Sequence, residues 1–127
     1  MWTPAWISGL AHHVDPLHLG TRDLTRSPSA ARAGAAAGIG GVEVAELHAP
    51  FSHQELILRK ELGLGDDVVI NPSGGALASN PMFSGGGIRV GEAARKIWSG
   101  EADKTLAHAT SGPALQQNLV CTLEGNI

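Results

Sequence analysis

The sequence predicts one α/β domain over residues 1–127, with a mixed sheet and helices packed on it in the order β-α-β-α-β-α-β-β. Two observations predict this class. Strand-like runs alternate with segments of helical periodicity, and glycine or proline lies at most of the junctions between them. Such alternation is typical of parallel strands joined by right-handed crossovers, and the last two strand-like runs are close enough to form an antiparallel hairpin. A chain of 127 residues can bury one core and is too short for two.

The first half of the chain supplies two strands and the first helix. Residues 5–11 read as a strand, and the histidine-rich stretch after it reads as irregular. Ser27 is a predicted N-cap with Pro28 at the first helical position, and the alanine-rich helix that follows ends at Gly38. Residues 42–47 alternate apolar with mostly polar side chains, which makes this run the clearest strand.

A capping box predicts where the second helix begins. The Ser52 side chain can accept a hydrogen bond from the amide of Glu55, whose carboxylate can reach back to the amide of Ser52. Phe51 and Leu56 take the flanking staple positions, and Gly63 ends the helix.

The second half contains a short buried strand at residues 68–70, a loop of small residues at 71–81 and a helix at 84–98. Residues 105–109 and 115–123 then read as two strands joined by a turn that contains Gly and Pro. The apolar stripe of the helix, at helical spacing, comprises Val90, Ala93, Ala94 and Ile97.

Composition and charge exclude several function classes. The net charge of −3 and the lack of a basic cluster do not fit a nucleic-acid binder. No apolar stretch is long enough for a membrane span, and the first residues lack the pattern of a signal peptide. The single cysteine, Cys121, excludes an internal disulfide and is typical of a reducing compartment, so we predict a cytoplasmic location.

Four loop motifs carry a resemblance to the thiolase superfamily. Residues 44–51, Val-Ala-Glu-Leu-His-Ala-Pro-Phe, are similar to the strand-end motif that reads His-Asp-Cys-Phe in sterol-carrier-protein-type thiolases and Asn-Glu-Ala-Phe in conventional ones. Residues 71–75 match the family's Asn-x-x-Gly-Gly. Residues 79–81, Ser-Asn-Pro, fall where the family has Gly-His-Pro, and residues 110–112, Thr-Ser-Gly, fall where it has Cys-x-Gly. The chain therefore resembles the C-terminal half of a thiolase-superfamily protein, in particular the actinobacterial group of lipid-transfer proteins or acetyl-CoA acetyltransferases.

This resemblance implies a thiolase-like half-unit without the N-terminal half that carries the nucleophilic cysteine. The implied activity is acyl transfer on an acyl-CoA thioester in fatty-acid or sterol side-chain metabolism, with no cofactor besides that substrate. The implied partners are the missing half, further copies in a homo- or hetero-oligomer, and a zinc-ribbon/OB-fold accessory protein. We expect the missing half to pack on the alanine-rich helix, because an alanine surface suits close helix packing.

The candidate catalytic residues are His48, Asn80 and Gly112. The imidazole of His48 and the amide of Asn80 can donate hydrogen bonds to a thioester oxygen, and the backbone amide of Gly112 can contribute to an oxyanion hole. A cap-bonded histidine, an Asn-Pro turn and an ordinary hairpin turn are the structural alternatives for these residues. We expect His48, Asn80 and Gly112 to meet at one end of the sheet. The candidate substrate-binding residues are Phe51, Met82 and Ser111.

The departures from the family pattern leave three functions open. Asn80 replaces the family histidine, position 110 has no cysteine, and Cys121 lies downstream in a strand-like run. The chain is thus an acyltransferase half that is inactive alone, a retro-aldol lyase acting on β-hydroxyacyl-CoA, or a non-catalytic module for acyl-CoA or lipid binding or for assembly.

The remaining histidines do not indicate a metal site. The sequence places no helical i, i+4 pair and no cysteine or carboxylate at ligand spacing near His12, His13 and His18. We predict His53 in a first helical turn and His108 inside a strand.

Overall fold

The computed structural model describes residues 3–126 and confirms the α/β class. The strands are β1 (Trp6–Val14), β2 (Val44–Glu46), β3 (Val69–Ile70), β4 (Lys104–Ser111) and β5 (Gln117–Glu124). The helices are α1 (Pro28–Ala37), α2 (Ser52–Glu61), α3 (Gly75–Ala78) and α4 (Gly85–Trp98), with a short 3-10 turn at Leu19–Thr21. The predicted order is present, and α3 and the 3-10 turn are additions that the sequence reading missed.

The five strands form one mixed sheet in the order β1-β5-β4-β2-β3. Strand β2 runs parallel to β3 and β4, whereas β5 is antiparallel to both β4 and β1. Because the carboxyl ends of parallel strands lie at the same edge of a sheet, the segments after β2, β3 and β4 meet there.

Helices α1 and α2 cover one face of the sheet, called the α1 face below, and α4 covers the other, the α4 face. The α1 face holds the larger core. In this core, alanines of α1, one leucine of α2 and the leucine directly after α2 pack on Leu106 and Val120. On the α4 face, Ala93, Ala94 and Ile97 pack against three residues of the hairpin strands, which are Ala107, Cys121 and Leu123. No helix within residues 3–126 is long and apolar enough to cross a membrane.

The predicted strand at residues 42–47 is present as β2, and all of Val44–Glu46 is buried because β2 lies between β3 and β4 with helices on both faces. The predicted burial of the next strand is wrong. Val69 of β3 is exposed because β3 is an edge strand of the sheet, next to β2. Strand β1 also continues through His12 and His13, which the sequence reading left irregular.

The predicted capping box is also wrong. Phe51 is the N-cap of α2 and carries no side-chain cap bond, and Ser52 is the first helical residue. The carboxylate of Glu55 instead accepts a hydrogen bond from the side-chain amide of Asn71 at 3.2 Å. Phe51 and Leu56 are both exposed. The predicted start of α1 and the end of α2 before Gly63 are confirmed.

Helix α1 buries one side and exposes the other. Ala30 and Ala33 are fully buried against the sheet, whereas Ala35 and Ala36 are exposed, so the packing of a missing half on this helix stays a prediction. Directly opposed residues of antiparallel strands point to the same face, and Leu10 pairs with Cys121 of the α4 face. Strand β1 exposes three apolar residues on the α4 face, where helix α4 does not cover the sheet. These residues are Ile7, Leu10 and Val14.

Candidate functional site

The segment after β2 is held by two side chains from elsewhere in the chain, one just after β3 and the other on β4. The amide of Leu47 donates to Oδ1 of Asn71 at 2.6 Å, and the amide of His48 donates to Nδ1 of His108 at 3.3 Å. Asn71 has a positive φ of 49°, a conformation that asparagine tolerates better than most residues. These bonds hold His48 at the carboxyl edge of the sheet.

The imidazole of His48 is held in one tautomer. The amide of Thr110 donates to its Nδ1 at 3.3 Å, so a neutral ring carries its proton on Nε2. That Nε2 lies 2.9 Å from Oδ1 of Asn80 and therefore donates to it. The acceptor oxygen of Asn80 is thereby used, and the two N–H donors of its exposed amide remain for a ligand.

Glycine is required where α4 approaches this pair. A Cβ on Gly85 would lie 2.5 Å from Oδ1 of Asn80 and 2.9 Å from Nε2 of His48. A Cβ on Gly86 would lie 2.7 Å from that of Ala109 on β4. The glycine run that opens α4 therefore brings the helix backbone against the His48–Asn80 pair and the end of β4.

The first turn of α4 adds donors to the same place. Ser84 is the N-cap but makes no side-chain cap bond, and the first turn contains no acidic residue. Among the described residues, no backbone acceptor binds the amides of Gly86 and Gly87. Unpaired amides at a helix N-terminus carry partial positive charge, which favours a ligand oxygen.

A cavity of about 620 Å³ opens at this edge of the sheet. One part is polar and contains His48, Asn80, Thr110 and Ser111. The remaining lining residues are apolar or glycine: Pro81, Met82, Phe83, Gly85, Gly86, Gly87, Val90, Ala109 and Leu119.

Four of the six residues singled out from the sequence line this cavity, namely His48, Asn80, Met82 and Ser111. The other two lie outside its lining. Gly112 adopts a positive φ of 73° in the turn after β4, next to the side chain of Gln116. Phe51 stacks on His53 in the first turn of α2, with ring centroids 5.9 Å apart.

Sequence reading missed the polar network behind the site. Nε2 of His108 lies 2.7 Å from Oδ1 of Asn118, whose Nδ2 donates to the hydroxyl of Ser29 at 2.7 Å and to the carbonyl of Leu115 at 2.8 Å. Burial lowers the pKa of His108 to about 4, and the nearby His48 acts in the same direction, against the opposing effect of the Asn118 bond. His108 is thus a neutral core residue, as predicted for a strand position.

The described residues provide no activated nucleophile at the cavity. The hydroxyl of Thr110 donates to the carbonyl of Gln117 at 2.9 Å, and burial raises the pKa of the Cys121 thiol in the core of the α4 face. Within residues 3–126, no group of three or more His, Cys, Asp or Glu side chains could hold a metal ion. The arrangement can donate hydrogen bonds to a ligand oxygen.

The order and pairing of these strands and helices match a thiolase-like fold. A solved structure that is similar to it over 97% of this chain is a monomeric SCP2-thiolase-like protein type 1 from Mycobacterium smegmatis, with a TM-score of 0.77 and 22% sequence identity. The similarity covers 29% of the length of that protein. No protein-family model and no curated protein matches the chain. At this level of identity the comparison establishes the fold.

Proposed function

We propose that this chain is the carbonyl-binding half of a thiolase-like acyl-CoA acyltransferase, acting in fatty-acid or sterol side-chain metabolism. The observation that carries the proposal is the fixed His48–Asn80 pair, which turns an asparagine amide toward a cavity of suitable size for a ligand. In this role the thioester oxygen accepts hydrogen bonds from Nδ2 of Asn80 and from free amides of the α4 N-terminus. Such donors stabilise the negative charge that develops on that oxygen during acyl transfer.

The nucleophile and the base would come from another polypeptide segment. Thr110 is committed to a backbone carbonyl, and the thiol of Cys121 is buried with a raised pKa. The exposed apolar strip on β1, defined by Ile7, Leu10 and Val14, is the surface on which we place that segment. Burying such a strip is favourable because it removes apolar area from water.

A non-catalytic acyl-CoA-binding module is the second candidate. The committed hydroxyl of Thr110 favours it, because the position where thiolases carry a cysteine has no free acid or base here. A retro-aldol lyase needs a base to remove a proton from the β-hydroxyl group, so it too would depend on a residue from elsewhere.

Binding of acyl-CoA to the isolated chain tests the proposal. Isothermal titration calorimetry with octanoyl-CoA is expected to give an affinity that Asn80→Leu lowers by about tenfold, the effect of losing a hydrogen bond to a ligand group. Asn126→Leu, a change of the same kind at an exposed residue outside the cavity, is the matched control and should leave the affinity unchanged. Equal affinities for wild type and Asn80→Leu would refute the proposed site.

A thiolysis assay separates the two candidate functions. The chain alone should release no acyl group from an acyl-CoA in either case. If the chain is an acyltransferase half, adding a nucleophile-bearing thiolase N-terminal half from the same polypeptide should produce turnover. Binding without turnover in that reconstituted protein would favour the non-catalytic module.

A further inference from the structure

Phe83 combines two unfavourable features at the mouth of the cavity. Its side chain is fully exposed, at 102% of the reference area, and its backbone has a positive φ of 67°. The left-handed region is strained for a bulky residue and free of strain for glycine. The adjacent Met82 is also exposed, at 81%.

The packing of the chain does not explain these features. A fully exposed ring adds nothing to either core, and the turn before α4 would form with less strain if position 83 were glycine. The phenyl ring is therefore free of packing within the described residues and open to a ligand that enters the cavity.

The position of the Phe83 ring indicates which kind of ligand binds against it. Phe83 and Met82 line the same cavity as Val90 and Leu119, while the His48–Asn80 pair supplies its polar part. A ligand that places a carbonyl oxygen on Asn80 can extend its aliphatic part between these apolar side chains. The cavity of about 620 Å³ has room for much more than an acetyl group.

We propose that Met82 and Phe83 form an apolar lip that binds the acyl chain, so that the site prefers thioesters with medium or long aliphatic chains over acetyl-CoA. This inference rests on the proposed function and adds to it a substrate class and a specificity-determining residue, Phe83.

A chain-length series tests the inference. Calorimetric titration of the wild-type chain with acetyl-, butyryl- and octanoyl-CoA should show affinity rising by up to about fourfold for each methylene that contacts the lip. Phe83→Gly should lower the affinity for octanoyl-CoA by about tenfold, with less than a twofold change for acetyl-CoA. Phe83→Leu should restore part of the preference. Leu56→Ala, which shortens an exposed apolar side chain outside the cavity, is the control and should change nothing.

The melting temperature of Phe83→Gly should be equal to or above that of the wild type, because glycine relieves the strain. Loss of octanoyl-CoA affinity is then attributable to the missing ring. An equal loss for acetyl- and octanoyl-CoA, or no loss for either, would overturn the inference. So would a Phe83→Gly variant that changes only the sedimentation coefficient, since the ring would then contact a protein partner.

The series also separates this inference from the proposed function. If the wild type binds all three thioesters equally, the lip is wrong and the carbonyl site stands. If it binds none of them, the proposed function fails and the lip fails with it.

Discussion

Two helices cover the α1 face of the sheet, and one helix covers the α4 face. The α1 face contains most of the buried apolar residues, whereas on the α4 face the outer strand β1 exposes Ile7, Leu10 and Val14. The cavity lies against α4 as well. The two faces therefore differ: the α1 face holds the larger core, and the α4 face has the cavity and the exposed apolar residues of β1.

One buried polar network on each face shows how completely its groups are hydrogen-bonded. On the α1 face, the amide of Asn118 serves the hydroxyls of Ser27 and Ser29 and the carbonyl of Leu115, and Ser29 donates to the buried Asp15. A fully bonded network of this kind makes the structure around it rigid.

On the α4 face, the buried Arg89 lies 3.4 Å from the carboxylate of the buried Glu46, but its Nε and Nη1 make no hydrogen bond. Glu46 also accepts bonds from the amide and the hydroxyl of Ser73. Because both charges are buried, removing either partner would leave an uncompensated charge. This pair ties α4 to the carboxyl edge of the sheet with less complete bonding than the Asn118 network has.

Breaking the network on the α1 face should have the largest effect. Asn118→Leu removes the two amide N–H donors that the hydroxyls of Ser27 and Ser29 and the Leu115 carbonyl share, and is expected to lower the free energy of unfolding by about 3 kcal/mol. Urea denaturation measures this. The neighbouring Gln117→Leu, at a half-buried position, should change it by less than about 0.5 kcal/mol. Similar values for the two variants would contradict the division between the faces.

Acid should lower the stability of the folded chain by protonating His108, whose side chain lies on the α1 face. Its folded-state pKa of about 4 lies below the ordinary 6.5, so between these values the unfolded chain binds a proton that the folded chain does not. Stability is therefore complete above pH 6.5 and falls as the pH decreases toward 4, by about 2 kcal/mol between pH 7 and pH 5. Urea denaturation across this range measures the slope. His108→Asn, which has no titrating group, should flatten the slope, and an unchanged slope in that variant would show that other groups cause it.

The sequence predicted those parts of the molecule that depend on local signals. The spacing of Val90, Ala93 and Ile97 defined α4, and Ser27, Pro28 and Gly38 defined α1. His48 and Asn80, 32 positions apart, were expected to meet at the sheet edge because each follows a parallel strand, and they form a hydrogen bond.

What could not be predicted depends on contacts between distant segments. The carboxylate of Glu55 can cap its own helix or bind Asn71, and only the position of the loop after β3 decides between them. Asn118 likewise gives no local signal, because its partners Ser27 and Ser29 are about 90 positions away. Gly112 was expected at the site as part of a motif, but the motif does not specify which way the turn bends.

A methyl group added at the start of α4 should show how far ligand binding depends on the close approach of this helix. Gly85→Ala forces Asn80 away from His48 and is expected to weaken octanoyl-CoA binding by about tenfold while costing about 1 kcal/mol of stability. Gly91→Ala is the matched control, since a Cβ there meets nothing within 4 Å and alanine favours a helix by about 0.5–1 kcal/mol. Calorimetry and urea denaturation report the two quantities. Equal affinities in the two variants would mean that the His48–Asn80 bond does not shape the site.

The smallest effect is expected at Cys121, which lies on the α4 face but within its core. Burial raises the pKa of its thiol, and the residues packed around it are apolar, so little thiolate exists at neutral pH. Incubation with acetyl- or octanoyl-CoA should therefore leave the intact mass of the protein unchanged, and Cys121→Ala should lower the stability by no more than about 1 kcal/mol. A stable acyl adduct in the wild type that disappears in Cys121→Ser would contradict this expectation. It would show that the α4 face supplies its own nucleophile, and that the open strip on β1 is not needed to bring one from another segment.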